Sequence, residues 1–553
     1  MNTTLRALFE CAATEEAPDH LFLRWHEKGA WQTRTYRDCL ARVKALAEWF
    51  GESGLQPRKT HVALFLPNGP LWIESYLAIT SIAGAVVHTD PKLTAQELLH
   101  ILSDSNAEMV VTDRAHLPKV LEIRDRLPAL KRLLLTDDAP DEGPLPTDTL
   151  ACVVAKRLAT PATYWENPTY RPQPEDLCGL LYTSGTTGKP KGAMLSHANF
   201  TADAIGTLNL LTGYITPADD FLVVLPLFHA FAFTTNFVIA LQTHAQLSFL
   251  RSLRTLTDDL RILQSTVLMT VPLMSEKLHA RLIEKVHATW QGRLLHRFLP
   301  RLIGRRILTA LGGKLRLIIV GGAKADPIVL RDFNRMGITM AEGYGLTECA
   351  PVVSVNPPGA IRVGTIGTPV RGIEVRLAQP DAQGIGELQV RGPINFLGYW
   401  QNPAATQATF DGEWLKTGDL AAIDKQGYLT IRGRAKALIV NREGKNIYPE
   451  EVEQAIARDE LIGQVIVLAY HSKEEPGERV GAIITPNEEA FARLHPQADR
   501  ATIETLLREA VKRQIATLAA YKHPRKVVIS HEPLTLTSTH KVRRCCYAGT
   551  LDE

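Results

Sequence analysis

Cysteine is sparse and unpatterned in this chain of 553 residues: Cys11, Cys39, Cys152, Cys178, Cys349, Cys545 and Cys546 form no C-x-x-C pair and have no histidine-rich spacing. This argues against structural zinc and against a disulfide framework, and it fits a reducing cytoplasm. An excess of one charge is lacking too, since 62 lysines and arginines against 59 aspartates and glutamates leave a net of +3. A nucleic-acid binder usually carries a far larger basic excess, so no nucleic-acid partner is expected. No stretch reaches about 18 consecutive apolar residues, and the opening MNTTLRALFECAATEE has no basic start before an apolar core. The sequence therefore predicts neither export nor a membrane span, and it leaves peripheral membrane contact open. Repeats and low-complexity segments are missing as well. What remains is an ordinary globular composition, 45% hydrophobic and 22% charged, long enough for three or four folding units of about 150 residues.

The densest chemistry lies in residues 182–192, YTSGTTGKPKG, with four aliphatic hydroxyls, three glycines and two lysines. Glycine lets backbone N–H groups approach an anion, hydroxyls add donors and lysines add charge, so the run suits a phosphate clamp. It is not a Walker P-loop: counted from Gly185, the second glycine of G-x-x-x-x-G-K-[ST] falls on Pro190. From its own composition, a polar hairpin is the other reading.

In chain order, residues 61–66 (HVALFL) read as a buried strand, residues 71–87 as a helix and a second strand, and residues 94–105 as an amphipathic helix. Thr94 is the expected N-cap of that helix, with Glu97 completing a capping box. Residues 109–112 and 133–136 supply further strands, and this alternation predicts a parallel sheet covered by helices. A strand at 177–182 leads into the glycine-rich run, and 196–210 reads as a helix. His229 follows a strand ending near 226 and stands among Phe228, Phe231 and Phe233. It reads either as a core residue or as a positioner in an apolar pocket.

Strands at 315–320 and 338–341 run into Gly321-Gly322-Ala323 and into Glu342-Gly343-Tyr344-Gly345-Leu346-Thr347-Glu348. The second loop combines a flat aromatic, a hydroxyl and a carboxylate, which suit a purine, a phosphate and Mg²⁺. After about Pro357 the pattern changes to short strands at 387–391, 414–417, 420–423 and 428–431, with a hairpin at 424–427, predicting a small β-barrel or twisted sheet. The charged pause Gly433-Arg434-Ala435-Lys436 marks a domain boundary. Beyond it come a helix opened by Pro449, strands at 465–469 and 480–484, a helix from 501 to about 517 and a strand at 526–529, which form a small α/β domain.

YTSGTTGKPKG, GYGLTE, WLKTGDLA, GRAKALIVNREGKNIYPEEVE and a lysine near the C-terminus occur in that order over most of the chain. Together they resemble the acyl-adenylate-forming superfamily, and PLFH and THKVRR are similar to its medium- and long-chain fatty acyl-CoA ligase branch. The resemblance implies an α/β fold: a large N-terminal domain, residues 1–433, of parallel-type α/β subdomains plus a small β-barrel, and a smaller mobile α/β C-terminal domain, residues 434–553. It implies ATP and Mg²⁺, a fatty acid or other carboxylate activated as acyl-AMP with release of pyrophosphate, and transfer to CoA or to an acyl carrier protein.

By motif position, the resemblance puts Thr183, Ser184, Gly185, Thr186, Thr187, Gly188, Lys189 and Lys191 around the β- and γ-phosphates, and Gly322 and Ala323 between adenine and acyl group. Glu342, Gly343 and Tyr344 fall at the nucleotide, Tyr344 against adenine. Thr347 falls at the α-phosphate, Glu348 on Mg²⁺, Asp419 on the ribose hydroxyls with Arg434 beside it, and Lys541 becomes the adenylation lysine. Lys436 is the implied hinge, Gly444 lies toward the thiol side, and His229 stands at the acyl and thiol entrance. Two positions depart from the family pattern: Ala437 replaces the aspartate usual after the hinge lysine, and His540 the glycine usual before the adenylation lysine.

Overall fold

The computed structural model describes residues 3–137, 147–158, 161–183, 190–441, 445–471, 478–536 and 542–552. The chain divides into two compact units. The first comprises Met1–Thr183, Pro190–Val375 and Val390–Leu415; the second contains Arg376–Gln389 and Lys416–Glu553. The chain passes from one to the other within strands Glu374–Ala378, Gly386–Arg391 and Trp414–Ile423.

The first unit is built on two sheets, of nine and eight strands among the described residues. Each has a parallel centre. In one, His61–Phe65 lies between Ala85–His88 and Met109–Thr112, with Leu64 opposite both His88 and Val111. In the other, Val267–Thr270, Leu317–Val320 and Thr339–Gly345 run side by side. These strands are apolar at nearly every position because both of their faces are covered, and the two-residue period sorts the side chains. Val62 and Leu64 face one core while Ala63 and Phe65 face another. In the second sheet, Leu317 and Ile319 turn to the same central core as Val62, and Ile318 and Val320 turn to a third. The central core is thus lined by both sheets, and helices Tyr36–Glu52, Pro70–Ser81 and His197–Leu210 fill it. Truncating one of these side chains, such as Ile319→Ala, costs about 2–5 kcal/mol.

Local signals behave as the sequence predicts. The helix Ala95–Asp104 starts from Thr94, whose hydroxyl accepts from the Glu97 amide while the Glu97 carboxylate accepts from the Thr94 amide. Other pairings are long-range. The hairpin Leu21–Glu27 and Ala30–Thr35 completes the nine-stranded sheet by pairing Leu23 with Leu247 in strand Gln246–Phe249.

In the second unit, strands Ile462–Tyr470 and Arg479–Pro486 are antiparallel, and Lys526–Ile529 is parallel to the latter. Helices Pro449–Ile456 and Arg500–Ile515 cover one face through Val452, Ile456, Leu507 and Val511. Pro449 is at the first turn, with Glu450 and Glu451 placed where the helix dipole favours negative charge. The small barrel or twisted sheet expected after Pro357 is a five-stranded sheet that includes Phe410–Asp411 and Leu429–Arg434. The two strands predicted at 414–417 and 420–423 are one, Trp414–Ile423.

Candidate functional site

The glycine-rich run joins two antiparallel strands, Leu177–Thr183 and Lys191–Ser196, in which Tyr182 faces Gly192 and Thr183 faces Lys191. The strands that flank the run pair as a hairpin. Tyr182 anchors its base: the phenol donates to Asp104 Oδ2 at 2.6 Å, and burial pushes its pKa well up. Ser184, Gly185, Thr186, Thr187, Gly188 and Lys189, with Gly444 and Lys541, lie outside the described residues.

Beside this hairpin, strand Thr339–Gly345 leaves its parallel neighbour after Glu342 and continues antiparallel to Val352–Val355, with Gly343 opposite Val355 and Tyr344 opposite Ser354. The predicted loop is thus strand as far as Gly345. There the chain needs glycine, since a Cβ would lie 1.8 Å from the Pro351 carbonyl oxygen. Thr347 and Glu348 follow in a single 3₁₀ turn, Thr347–Cys349. Next to it, Leu317–Val320 ends at Gly321 and at Gly322, whose φ of +80° is the left-handed region that glycine adopts without strain. Gly322 and Ala323 are exposed beyond the strand end, where ligands collect in open α/β sheets.

Two side chains converge on Tyr399, and a backbone bond braces one of them. Its hydroxyl donates to Glu348 Oε1 at 2.7 Å, Lys191 Nζ stands 5.3 Å from its ring centroid, and the neighbouring Phe396 amide donates to the Glu348 carbonyl at 2.9 Å. Gly398–Tyr399 is held there as a short strand against Lys191–Ser196. Sequence reading missed Tyr399; its signal is the triplet Gly398-Tyr399-Trp400, whose Trp400 indole donates to the Asp104 carbonyl at 2.9 Å.

Glu342 is buried. Its Oε1 accepts from the Ala325 amide at 2.9 Å and Lys324 lies near, yet burial outweighs both and pushes its pKa to about 7. His229 opens the helical segment Ala230–Ala232, which runs on through Phe233–Val238 and Ile239–Thr243. Its ring lies 4.3 Å from that of Phe228, centroid to centroid, and burial lowers its pKa against the pull of Asp90. The Phe228 carbonyl is 3.3 Å from Nδ1 of His88, a second buried histidine that desolvation drives down to about 3.

A small apolar cavity of about 60 Å³ lies within the first unit. Its walls are Thr207 and Leu211 of one helix, Phe231, Thr235 and Ile239 of the segment after His229, and Met269 and Ile319 of two parallel strands. Gly321, Gly322, Gly343 and Tyr344 complete its lining, so a narrow apolar cleft adjoins the two polar loops.

Asp419 and Arg434 belong to the second unit. They face each other on paired strands, and Arg434 Nε lies 2.9 Å from Asp419 Oδ1. Asp419 is buried, its amide donates to Thr417 Oγ1 at 3.1 Å, and Arg434 Nη1 donates to the Thr417 carbonyl at 3.3 Å. The pair is thereby fixed in one geometry while the guanidinium stays about half exposed. Lys436 sits in the 3₁₀ turn Ala435–Ala437 directly after this strand.

Residues 9–400 match the family model described as AMP-binding enzyme, and the chain belongs to that family. It is 30% identical over 97% of its length, and 92% of the relative's, to a long-chain-fatty-acid–CoA ligase of Escherichia coli O157:H7. It is 26% identical over 92% of its length, and 80% of the relative's, to a chloroplastic long-chain-fatty-acid–[acyl-carrier-protein] ligase of Arabidopsis thaliana. Among solved structures, ATP-bound MatB from Rhodopseudomonas palustris superposes with a TM-score of 0.77 at 26% identity, covering 98% of each chain. No helix among the described residues is long and apolar enough to cross a membrane.

Proposed function

We propose that the protein is an AMP-forming acid–thiol ligase of the cytoplasm that activates a fatty acid with ATP as acyl-AMP, releases pyrophosphate and passes the acyl group to CoA. The observation that carries this reading is the apolar cavity ending at Gly321, Gly322 and Tyr344. Its lining is apolar, as a hydrocarbon tail requires, and it adjoins residues suited to a nucleotide.

In this reading Tyr344 lies against adenine, Thr347 donates to the α-phosphate, and Thr183 to Lys189 with Lys191 grip the phosphates that leave. Glu342 and Gly343 back the nucleotide, and Gly322 and Ala323 separate it from the acyl group. Asp419 accepts from the ribose hydroxyls, as an ionised carboxylate does well, with Arg434 holding its orientation. Glu348 suits Mg²⁺: a carboxylate offers about four acceptor positions, and Tyr399 occupies one of them. Among the described residues no group of three or more acidic, His or Cys side chains forms a metal cage. A triphosphate-bound Mg²⁺ needs only one or two carboxylates beside phosphate oxygens, and its positive charge would offset that of the phosphates. Lys541 stabilises the charge that grows between carboxylate and α-phosphate. Lys436 is the pivot between residues 1–433 and 434–553, Gly444 borders the thiol path, and His229 guards the acyl and thiol entrance.

An acyl carrier protein as acceptor is the second reading, favoured by the likeness to the Arabidopsis ligase. The test is ATP-dependent pyrophosphate release over a panel of fatty and aryl carboxylates, with no thiol, with CoA and with acyl carrier protein. Release with fatty acids and thioester formed on CoA supports the first reading. Turnover confined to carrier protein selects the second, and release only with aryl acids refutes the fatty substrate.

A further inference from the structure

Residues 272–310 form three consecutive helices, Pro272–His287, Trp290–Phe298 and Pro300–Ala310. Their inner faces are ordinary: Leu278, Leu282, Ile303 and Ile307 join the core under the nine-stranded sheet. A polar staple fixes them. Asp332 of helix Pro327–Arg335 lies 2.7 Å from His279 Nε2 and 2.9 Å from His296 Nε2, and His287 Nε2 is 3.0 Å from His296 Nδ1.

The outer face is unusual. Trp290, Leu294 and Phe298 follow one another at four-residue spacing, share one side of their helix and are 64%, 45% and 67% exposed. Leu299 and Leu302 extend the patch. Such a contiguous exposed apolar stripe marks an interaction surface. Its rim is basic: at 100° per residue, Arg297 and Arg293 flank Trp290 at roughly 20° and 60° around the helix. Between Leu273 and Arg306 eight lysines and arginines, all exposed, stand against Glu276 and Glu284, a net of +6. The whole chain carries +3, so all its other residues together sum to −3. The molecule's positive charge is concentrated here.

We propose that this face docks reversibly on anionic lipid bilayers, with Trp290, Leu294 and Phe298 in the headgroup–acyl boundary and the surrounding arginines against lipid phosphates. An apolar stripe with a cationic rim has the composition of an interfacial helix. A second copy of the chain is disfavoured as the occupant, because two such faces would bring +6 against +6. The first of the three helices also starts at Pro272, two residues after the strand whose Met269 lines the cavity. The proposal needs only this exposed face and stands apart from the assignment of substrate.

Flotation of the full-length protein with vesicles of phosphatidylcholine, alone or mixed with phosphatidylglycerol, tests it. Wild type should float with the mixed vesicles, shift its tryptophan emission to the blue and release as salt rises. Replacing Arg293, Arg297 and Arg301 together by Glu should lower partitioning on the order of 100-fold, at about fivefold per lost cation. Phe298→Ser should weaken it independently, with an unchanged thermal midpoint for both variants. Equal binding to neutral vesicles, no binding, or binding indifferent to either variant would overturn the proposal. So would sedimentation showing a wild-type dimer that Phe298→Ser dissociates without any vesicle binding.

Discussion

Glu342 and Glu348 are six residues apart on one strand and the turn that follows it, yet their surroundings have opposite logic. Glu342 is 4% exposed and held by one backbone amide, and desolvation lifts its pKa to about 7. Glu348 is half-buried, braced by the Tyr399 hydroxyl on its carboxylate and the Phe396 amide on its carbonyl. The first is a carboxyl group the fold tolerates because it can shed its charge. The second keeps a water-accessible side chain in a fixed direction, as a cation ligand requires. A carboxylate in a site motif is thus read by its neighbours, not by its residue type alone.

The sharpest way to break the contrast is Glu348→Gln, which keeps the shape and removes the charge; pyrophosphate release should fall by about 100- to 1000-fold. A loss of only twofold would remove Glu348 from the metal. Asp419→Asn extends the comparison to a carboxylate already paired with arginine. It should weaken ATP binding by calorimetry by roughly tenfold or more, the equivalent of about 1.4 kcal/mol, and unchanged affinity would refute the ribose role. Tyr399→Phe removes one bond and leaves the ring beneath Lys191. It should raise the Mg²⁺ concentration needed for half-maximal rate by several-fold, corresponding to about 0.5–1.5 kcal/mol, with little change in thermal midpoint.

Glu342→Gln should have the smallest effect on rate, and its signature is in stability. The folded-state pKa of about 7 exceeds the ordinary value of 4.5. Between those values the folded chain holds more protons than the unfolded one, so this residue makes stability fall as pH rises from about 4.5 to about 7. Chemical denaturation at several pH values should give a flatter profile for Glu342→Gln across that window; a slope identical to wild type would show that Glu342 ionises freely.

The part of this arrangement that the sequence displays is local. Thr94 with Glu97, Pro449 with its two glutamates and the short apolar strands each reflect interactions among near neighbours, and the segments from Gly321 and from Glu342 advertise themselves by composition. Tyr399 does not, because it acts on Glu348 and Lys191 from 51 and 208 residues away, through a two-residue strand with no periodic signal. The cavity is not legible for the same reason: Leu211, Ile239, Met269 and Ile319 come from separate elements, and each reads as ordinary core. Strand Lys191–Ser196 was missed because KGAMLS has weak strand propensity and is extended by its partner.

The N-terminal hairpin has a consequence for how the protein is made. Strand Leu21–Glu27 leaves the ribosome more than 200 residues before its parallel partner Gln246–Phe249. At about 5–20 residues per second, roughly 10–45 s pass before the edge can be closed. During that interval the nascent hairpin carries one open edge, on the strand bearing Phe22 and Leu23, both fully buried in the finished protein. The open edge of the hairpin is therefore a surface that could pair wrongly until the parallel strand arrives.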